Sequence, residues 1–269
     1  MERIAPKTVG ADLLDGVPRQ RTVLPAPPPA RRPAVPRARP RLSRPMPLSR
    51  PMPLSRPMPL LLPTPAGTPF TFGYAALLAV TSLIAAQAPP ALVYALYQGS
   101  STDVAHLMRS PVVVLLASAL WIAGGLVSPY ALAFVLVLTA LERRIGGARA
   151  ACVFLAGHVL ATLATEVPVG LAVLAGHLPE TSLHRLDYGI SFGVAASTGA
   201  LAGLLRPWLR WPLLAGTAYL LLADLLAYAD PMTNWGHLIA LTIGVSTWPV
   251  VRRWAALGTP SHLRLQGDR

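Results

Sequence analysis

Two residues in this chain can do nucleophilic chemistry together. Ser191, in Gly189-Ile190-Ser191-Phe192-Gly193, supplies a hydroxyl. His237, in Asn234-Trp235-Gly236-His237, supplies an imidazole. A serine is a weak nucleophile until an adjacent base accepts its proton, and the same base can later protonate the leaving amine. The chemistry also needs donors aimed at the developing oxyanion. Amides at the start of a helix are free for that task, and Gly189 and Ser191 fall at such a start. The expected site is therefore Ser191 and His237 as a dyad, with Gly189 and Asn234 in support. Ser191 read as a small packing residue, and His237 bonding a carbonyl or Asn234, are the alternatives.

Such a dyad requires two neighbouring elements with both side chains at one depth. Ser191, Ala195, Gly199 and Gly203 recur every fourth residue, a small-residue stripe on one helix face. His237, Ala240 and Gly244 share a face of a second helix. Stripes of this kind let helix backbones approach closely, so the two helices are expected to pack together. Other polar groups offer rival chemistry. Ser197 lies almost two turns deeper than Ser191. His158 and Glu166, eight apart, make half a metal site without a convincing third ligand. Asp224 is a lone carboxylate. The Gly-x-Ser-x-Gly pattern at 189–193 also matches a lipase elbow, but that elbow needs a preceding strand.

The elements that must hold these residues are membrane spans. Of 269 residues, 53% are hydrophobic and 13% charged, with a mean hydropathy of +0.50. Soluble domains carry about 25% charged residues, so the composition argues against a soluble single-core enzyme. About 20 apolar residues cross a bilayer as a helix. Six spans are expected: 70–88, about 124–142, 150–175, 188–205, 211–229 and 232–251. Residues 111–123 read as a segment lying in the membrane within the first loop. The single cysteine, Cys152, excludes an intrachain disulfide framework and a cysteine-based zinc site.

The net charge of +12 does not indicate nucleic acid, because it is unevenly spread. Residues 1–68 hold 12 of the 23 basic residues and three of the 11 acids. Eighteen of the 29 prolines lie in residues 1–69, and Ser-Arg-Pro-Met-Pro-Leu occurs three times in tandem from Ser43. Proline removes the amide donor and fixes φ, so this tail is expected to be disordered with local polyproline II. In the spans' loops, arginines cluster on one side: Arg143, Arg144, Arg149, Arg206, Arg210 and those of the C-terminal tail. The other side holds Arg109 and Arg185. The positive-inside rule then places both termini in the cytoplasm, and Ser191 and His237 near the outer face.

The chain resembles the rhomboid family of intramembrane serine proteases, in particular the shorter rhomboid-like proteins of actinobacteria. The resemblance covers about residues 70–252. It is carried by Glu142-Arg143-Arg144-Ile145-Gly146, by Gly189-Ile190-Ser191 with Gly199 eight residues on, and by Asn234-Trp235-Gly236-His237 with Gly244 seven residues on. The resemblance implies a six-helix core, a long first loop partly in the membrane, Ser191 as nucleophile and His237 as base. The chain departs from the family pattern at three places. Phe192 stands where glycine follows the serine. The span-two His-x-x-x-Asn is absent, its asparagine position falling near Tyr130. Ala240 replaces a glycine three residues after His237.

The expected fold class is thus an all-α polytopic membrane protein, a rhomboid-like six-transmembrane-helix bundle. Its expected parts are a disordered tail at 1–69, the membrane domain at 70–252 and a short basic tail at 253–269. The resemblance implies cleavage of a transmembrane protein substrate at the plasma membrane. The alternative is an inactive relative that binds transmembrane clients. A small transporter using His158, Glu166 and Asp224 ranks last. Partners are the lipid bilayer and a membrane protein, with no nucleic acid, and no cofactor or metal is expected.

Overall fold

The computed structural model of the chain describes residues 62–228 and 230–257. Residues 1–61 of the expected disordered tail, with the triple hexapeptide, lie outside the described residues, as does most of the C-terminal tail. The last part of that tail, 62–69, is described and does not fit the expectation: the Thr64 amide donates to Thr68 Oγ1 at 3.0 Å, Thr68 is buried and Pro69 opens α1. Ten α-helices are present among the described residues: α1 (Pro69–Gln87), α2 (Pro90–Gly99), α3 (Val104–Arg109), α4 (Pro111–Ser118), α5 (Pro129–Ile145), α6 (Gly147–Leu174), α7 (Ser191–Ala202), α8 (Pro207–Leu226), α9 (Pro231–Ser246) and α10 (Trp248–Leu257). Six of them, α1 and α5 to α9, stand where spans were expected. By length and composition, α1, α6 and α8 are long and apolar enough to cross a membrane.

Prolines and short polar side chains set the helix starts. Pro129 and Pro231 occupy first-turn positions, where a missing N–H costs nothing. Ser128 accepts from the Tyr130 amide at 3.2 Å and Asp230 from the Thr233 amide at 3.2 Å. Helix α1 is capped by another helix. Glu142, near the end of α5, accepts from the Phe70 and Thr71 amides at 3.0 and 2.7 Å and from the Thr71 hydroxyl at 2.6 Å. One buried carboxylate thereby satisfies orphan amides that α1 cannot satisfy itself. Gly146, four residues on, turns the chain into α6 with φ of 88°, a conformation that favours glycine.

Helix α7 is central. It packs against α5, α6, α8 and α9, and every residue from Phe192 to Ala202 is buried. Its 12 residues are mostly Ala, Gly, Ser and Thr, so four neighbours can approach it closely. The expected α7–α9 packing is present. A Cβ on Gly199 would run into the Leu241 carbonyl, and one on Gly244 into the Ala196 carbonyl. Nearby, Gly236 abuts the Phe192 ring and Gly203 the Trp248 indole. These pairings advance in one direction on both helices, so α7 and α9 run parallel.

Larger side chains fill the space farther out. Tyr74 meets Phe134 and Phe154 edge-on at 5.1 and 5.3 Å, and its hydroxyl donates to the Ala119 carbonyl at 2.6 Å. That bond ties α1 to the first loop. The loop differs from expectation in one respect. It was read as a single membrane-lying segment at 111–123, and it holds three short helices, α2, α3 and α4. The first was obscured because Pro90 looked like a terminator of α1, and the third because residues from Pro111 on read as a loop segment, whereas each proline opens a helix at its first position.

Candidate active site

Ser191 is the first residue of α7, and His237 lies in the second turn of the parallel helix α9. The residue beside the serine touches the histidine directly: the Phe192 ring meets His237 edge-on, with centroids 5.3 Å apart. Both members of the expected dyad therefore sit at one end of the α7–α9 pair. Ser191 is partly exposed and His237 is buried. Among the described residues, neither Ser191 Oγ nor His237 Nε2 has a hydrogen-bond partner.

His237 is held from its other side by a residue of α5. Tyr130 stacks on the imidazole at 5.3 Å and 25°, and its hydroxyl lies 3.5 Å from His237 Nδ1. A tyrosine hydroxyl can accept an N–H as well as donate. If Nδ1 carries the proton, Nε2 presents a lone pair. Tyr130 was marked in the sequence only as the place where a family asparagine is missing. Its contact with His237 was not anticipated.

The turn into α7 is built by Gly189. Its φ of 122° is open to glycine and strained for other residues. Gly189 was expected to lend its amide to an oxyanion, but that amide donates to the Ser118 carbonyl at 3.0 Å. The Ile190 amide donates to the Trp121 carbonyl at 3.1 Å. The first loop thus pins the α7 start. The first intrahelical bond, from the Val194 amide to the Ile190 carbonyl at 3.0 Å, leaves the amides of Ser191, Phe192 and Gly193 without intrahelical acceptors.

Asn234 was expected to support the site. Its side-chain amide donates to the Asp224 carbonyl at 2.9 Å and so ties α9 to α8. Ser197 is fully buried in α7, with no partner for its hydroxyl among the described residues. His158 Nε2 lies 3.1 Å from the Leu115 carbonyl and 3.0 Å from Ser118 Oγ. A carbonyl can only accept, so Nε2 carries the proton and cannot serve Ser118 as a base. Asp224 is exposed. No group of three His, Cys, Asp or Glu side chains gathers as metal ligands among the described residues.

A second polar cluster was not seen as one in the sequence. Arg185, in the loop between α6 and α7, is ion-paired with Glu166 of α6. It donates to Thr233 Oγ1 of α9 at 2.9 Å and lies 3.5 Å from Asp230 and 3.9 Å from Asp187. Asp187 in turn accepts from the Thr102 hydroxyl at 2.9 Å. Burial pushes the Asp187 carboxyl above its usual range, with Arg185 and Thr102 holding it partly down. This guanidinium links α6, the α6–α7 loop and the start of α9. Its partners are spread over 68 residues of sequence from Glu166 to Thr233, so no local motif reveals it.

No curated protein and no solved structure matches the chain significantly. A family model described as rhomboid-like protein matches residues 66–256, which include α1 to α9 and nearly all of α10. On that match, and with the all-helical architecture around α7, the chain belongs to the family of rhomboid-like proteins.

Proposed function

We propose that this chain is an intramembrane serine protease that cleaves a membrane-spanning polypeptide near the outer face of the plasma membrane. The observation that carries the reading is the state of His237. Its Nε2 is buried and without a partner among the described residues, on a ring fixed by Tyr130 and Phe192, one helix away from a partly exposed serine. A buried polar nitrogen without a partner is costly, and a substrate-bound serine hydroxyl would satisfy it.

In this reading Ser191 Oγ attacks the scissile carbonyl carbon while His237 Nε2 takes its proton. The C=O electron pair moves onto the oxygen, which the amides of Ser191, Phe192 and Gly193 can receive. Collapse breaks the C–N bond, and His237 gives the proton to the leaving amine. Water then hydrolyses the acyl-enzyme by the same route. Tyr130 accepts from Nδ1–H and so keeps the lone pair on Nε2. The distribution of arginines supports cytoplasmic termini and a site at the opposite face.

A second reading is favoured by one contact. Phe192 fills the space beside His237 where the family pattern has glycine. If that ring stays in place, the protein binds transmembrane clients without cutting them. The test is cleavage of single-span peptides with helix-breaking residues near their outer ends, co-reconstituted with the protein and followed by mass spectrometry. The protease reading expects defined products that vanish in Ser191→Ala. Intact peptides that co-purify equally with wild type and Ser191→Ala establish the second reading.

A further inference from the structure

The end of the bundle opposite Ser191 carries two arginines that no carboxylate neutralises among the described residues. Arg210 of α8 and Arg252 of α10 both lie over the Trp248 indole, at 5.1 and 4.9 Å from its centroid. Each is anchored by the last carbonyls of α7 and the residues after it. Arg210 Nε donates to the Ala202 carbonyl at 3.0 Å and Nη2 to Leu205 at 2.8 Å. Arg252 Nε donates to Gly203 at 2.9 Å, and Trp248 Nε1 to Gly199 at 2.8 Å. These contacts satisfy the negative end of α7 and hold both guanidiniums in fixed places.

The anchors leave donors over. Arg210 Nη1 and both terminal nitrogens of Arg252 have no hydrogen-bond partner among the described residues. The ion pairs among the described residues involve Arg185 and His106, so no carboxylate answers Arg210 or Arg252. Two like charges held over one ring repel each other, and a shared anion relieves that repulsion. Guanidiniums bind phosphate through paired N–H groups.

The depth of the pair indicates which phosphate. Trp208 and Trp211, on the first turns of α8, are 66% and 60% exposed. Exposed tryptophans at a span end mark the membrane interface, and Arg210 lies between them in sequence. Helix α10 continues from α9 with Val251 buried and Arg252 and Arg253 exposed, as expected of a helix lying along that interface. We propose that Arg210 and Arg252, arranged about Trp248, form a site for the phosphate of an anionic glycerophospholipid headgroup. The lipid would clamp α8 and α10 onto the end of α7. The inference rests on the membrane fold and is independent of the protease reading.

The test uses the full chain in nanodiscs of phosphatidylglycerol or of phosphatidylcholine, with retained lipid counted by native mass spectrometry after release. The expected result is selective retention of phosphatidylglycerol, weakened about tenfold or more in Arg210→Gln/Arg252→Gln. Arg253→Gln is expected to retain lipid as wild type does. Because both arginines also cap α7, a second readout guards against misfolding. Adding phosphatidylglycerol should raise the Tm of wild type in detergent but not that of the double variant, while inorganic phosphate at equal concentration raises neither. Equal retention by the double variant, an equal loss in Arg253→Gln, or an equal Tm rise with inorganic phosphate would overturn the proposal.

Discussion

Tyr130 lies flat against His237, ring on ring at 5.3 Å, with its hydroxyl 3.5 Å from Nδ1. The contact joins α5 to α9, and the far nitrogen of the imidazole has no partner among the described residues. It also places a phenol near the position where the family pattern has an asparagine. The oxygen is in reach of the histidine, so it can set the tautomer on which the dyad depends.

Tyr130→Phe keeps the stack and removes the hydroxyl. Loss of a positioning hydrogen bond of ordinary strength lowers the reaction rate by about tenfold. The expected outcome is slower acylation of Ser191 with an unchanged Tm. An unchanged rate removes Tyr130 from the mechanism and leaves it a packing residue.

Phe192 separates the two readings of function. It is 3% exposed and touches both His237 and the Gly236 backbone. Phe192→Ala should cost about 3–5 kcal/mol of stability through the cavity left behind. It should also speed reaction of Ser191 with small electrophiles if the ring obstructs the site. A variant with lower stability and an unchanged reaction rate shows that the ring does not obstruct it.

The α7–α9 seam tolerates no side chain at Gly199 or Gly244, because each faces backbone of the other helix. Gly199→Leu or Gly244→Val should destabilise by about 1–3 kcal/mol or more and abolish Ser191 reactivity together with the fold. Unfolding by heat in detergent, followed by circular dichroism, measures this. A near-neutral effect would mean the helices do not pack as described.

Arg185 offers a test by pairing. Arg185→Met leaves Glu166 buried and uncompensated, which costs about 3–5 kcal/mol. Adding Glu166→Gln should recover much of that loss, as a double-mutant cycle would reveal. The effect of pH on the single variant has a definite sign. Asp187, outside the spans, already has its carboxyl raised by burial. A raised carboxyl favours folding most when protonated, and that contribution is lost as pH rises through the folded value. With Arg185 gone, the value rises further, so going from about pH 7 to about pH 5 should stabilise the variant relative to wild type. A fall in relative stability on acidification would contradict the assignment.

Much of this architecture was legible in the sequence because the membrane imposes simple rules. Charge-free runs located α1 and α5 to α9, and the small-residue stripe through Gly199 identified a face that meets α9, while Gly203 on the same stripe meets Trp248 of α10. The first loop was less legible. Its three short helices begin at or near Pro90, Asp103 and Pro111, signals that mark either the end of one helix or the start of another. The site was legible as residue types but not as contacts. The Gly189 amide looked free, yet the carbonyl that takes it belongs to Ser118, 71 positions earlier. Tyr130 and Arg185 act through partners distant in sequence, and no period or motif encodes such pairs.

In the protease reading, Ser191 is a nucleophile activated by His237. The most direct measurement is covalent modification by a fluorophosphonate in nanodiscs, with the adduct mapped to a peptide. The set is wild type, Ser191→Ala, Ser197→Ala and His237→Ala, each with its Tm recorded. An adduct on Ser191 is expected in wild type and Ser197→Ala, and none in Ser191→Ala or His237→Ala. A folded wild type that takes up no label, under conditions where an active serine hydrolase labels fully, would contradict the protease reading.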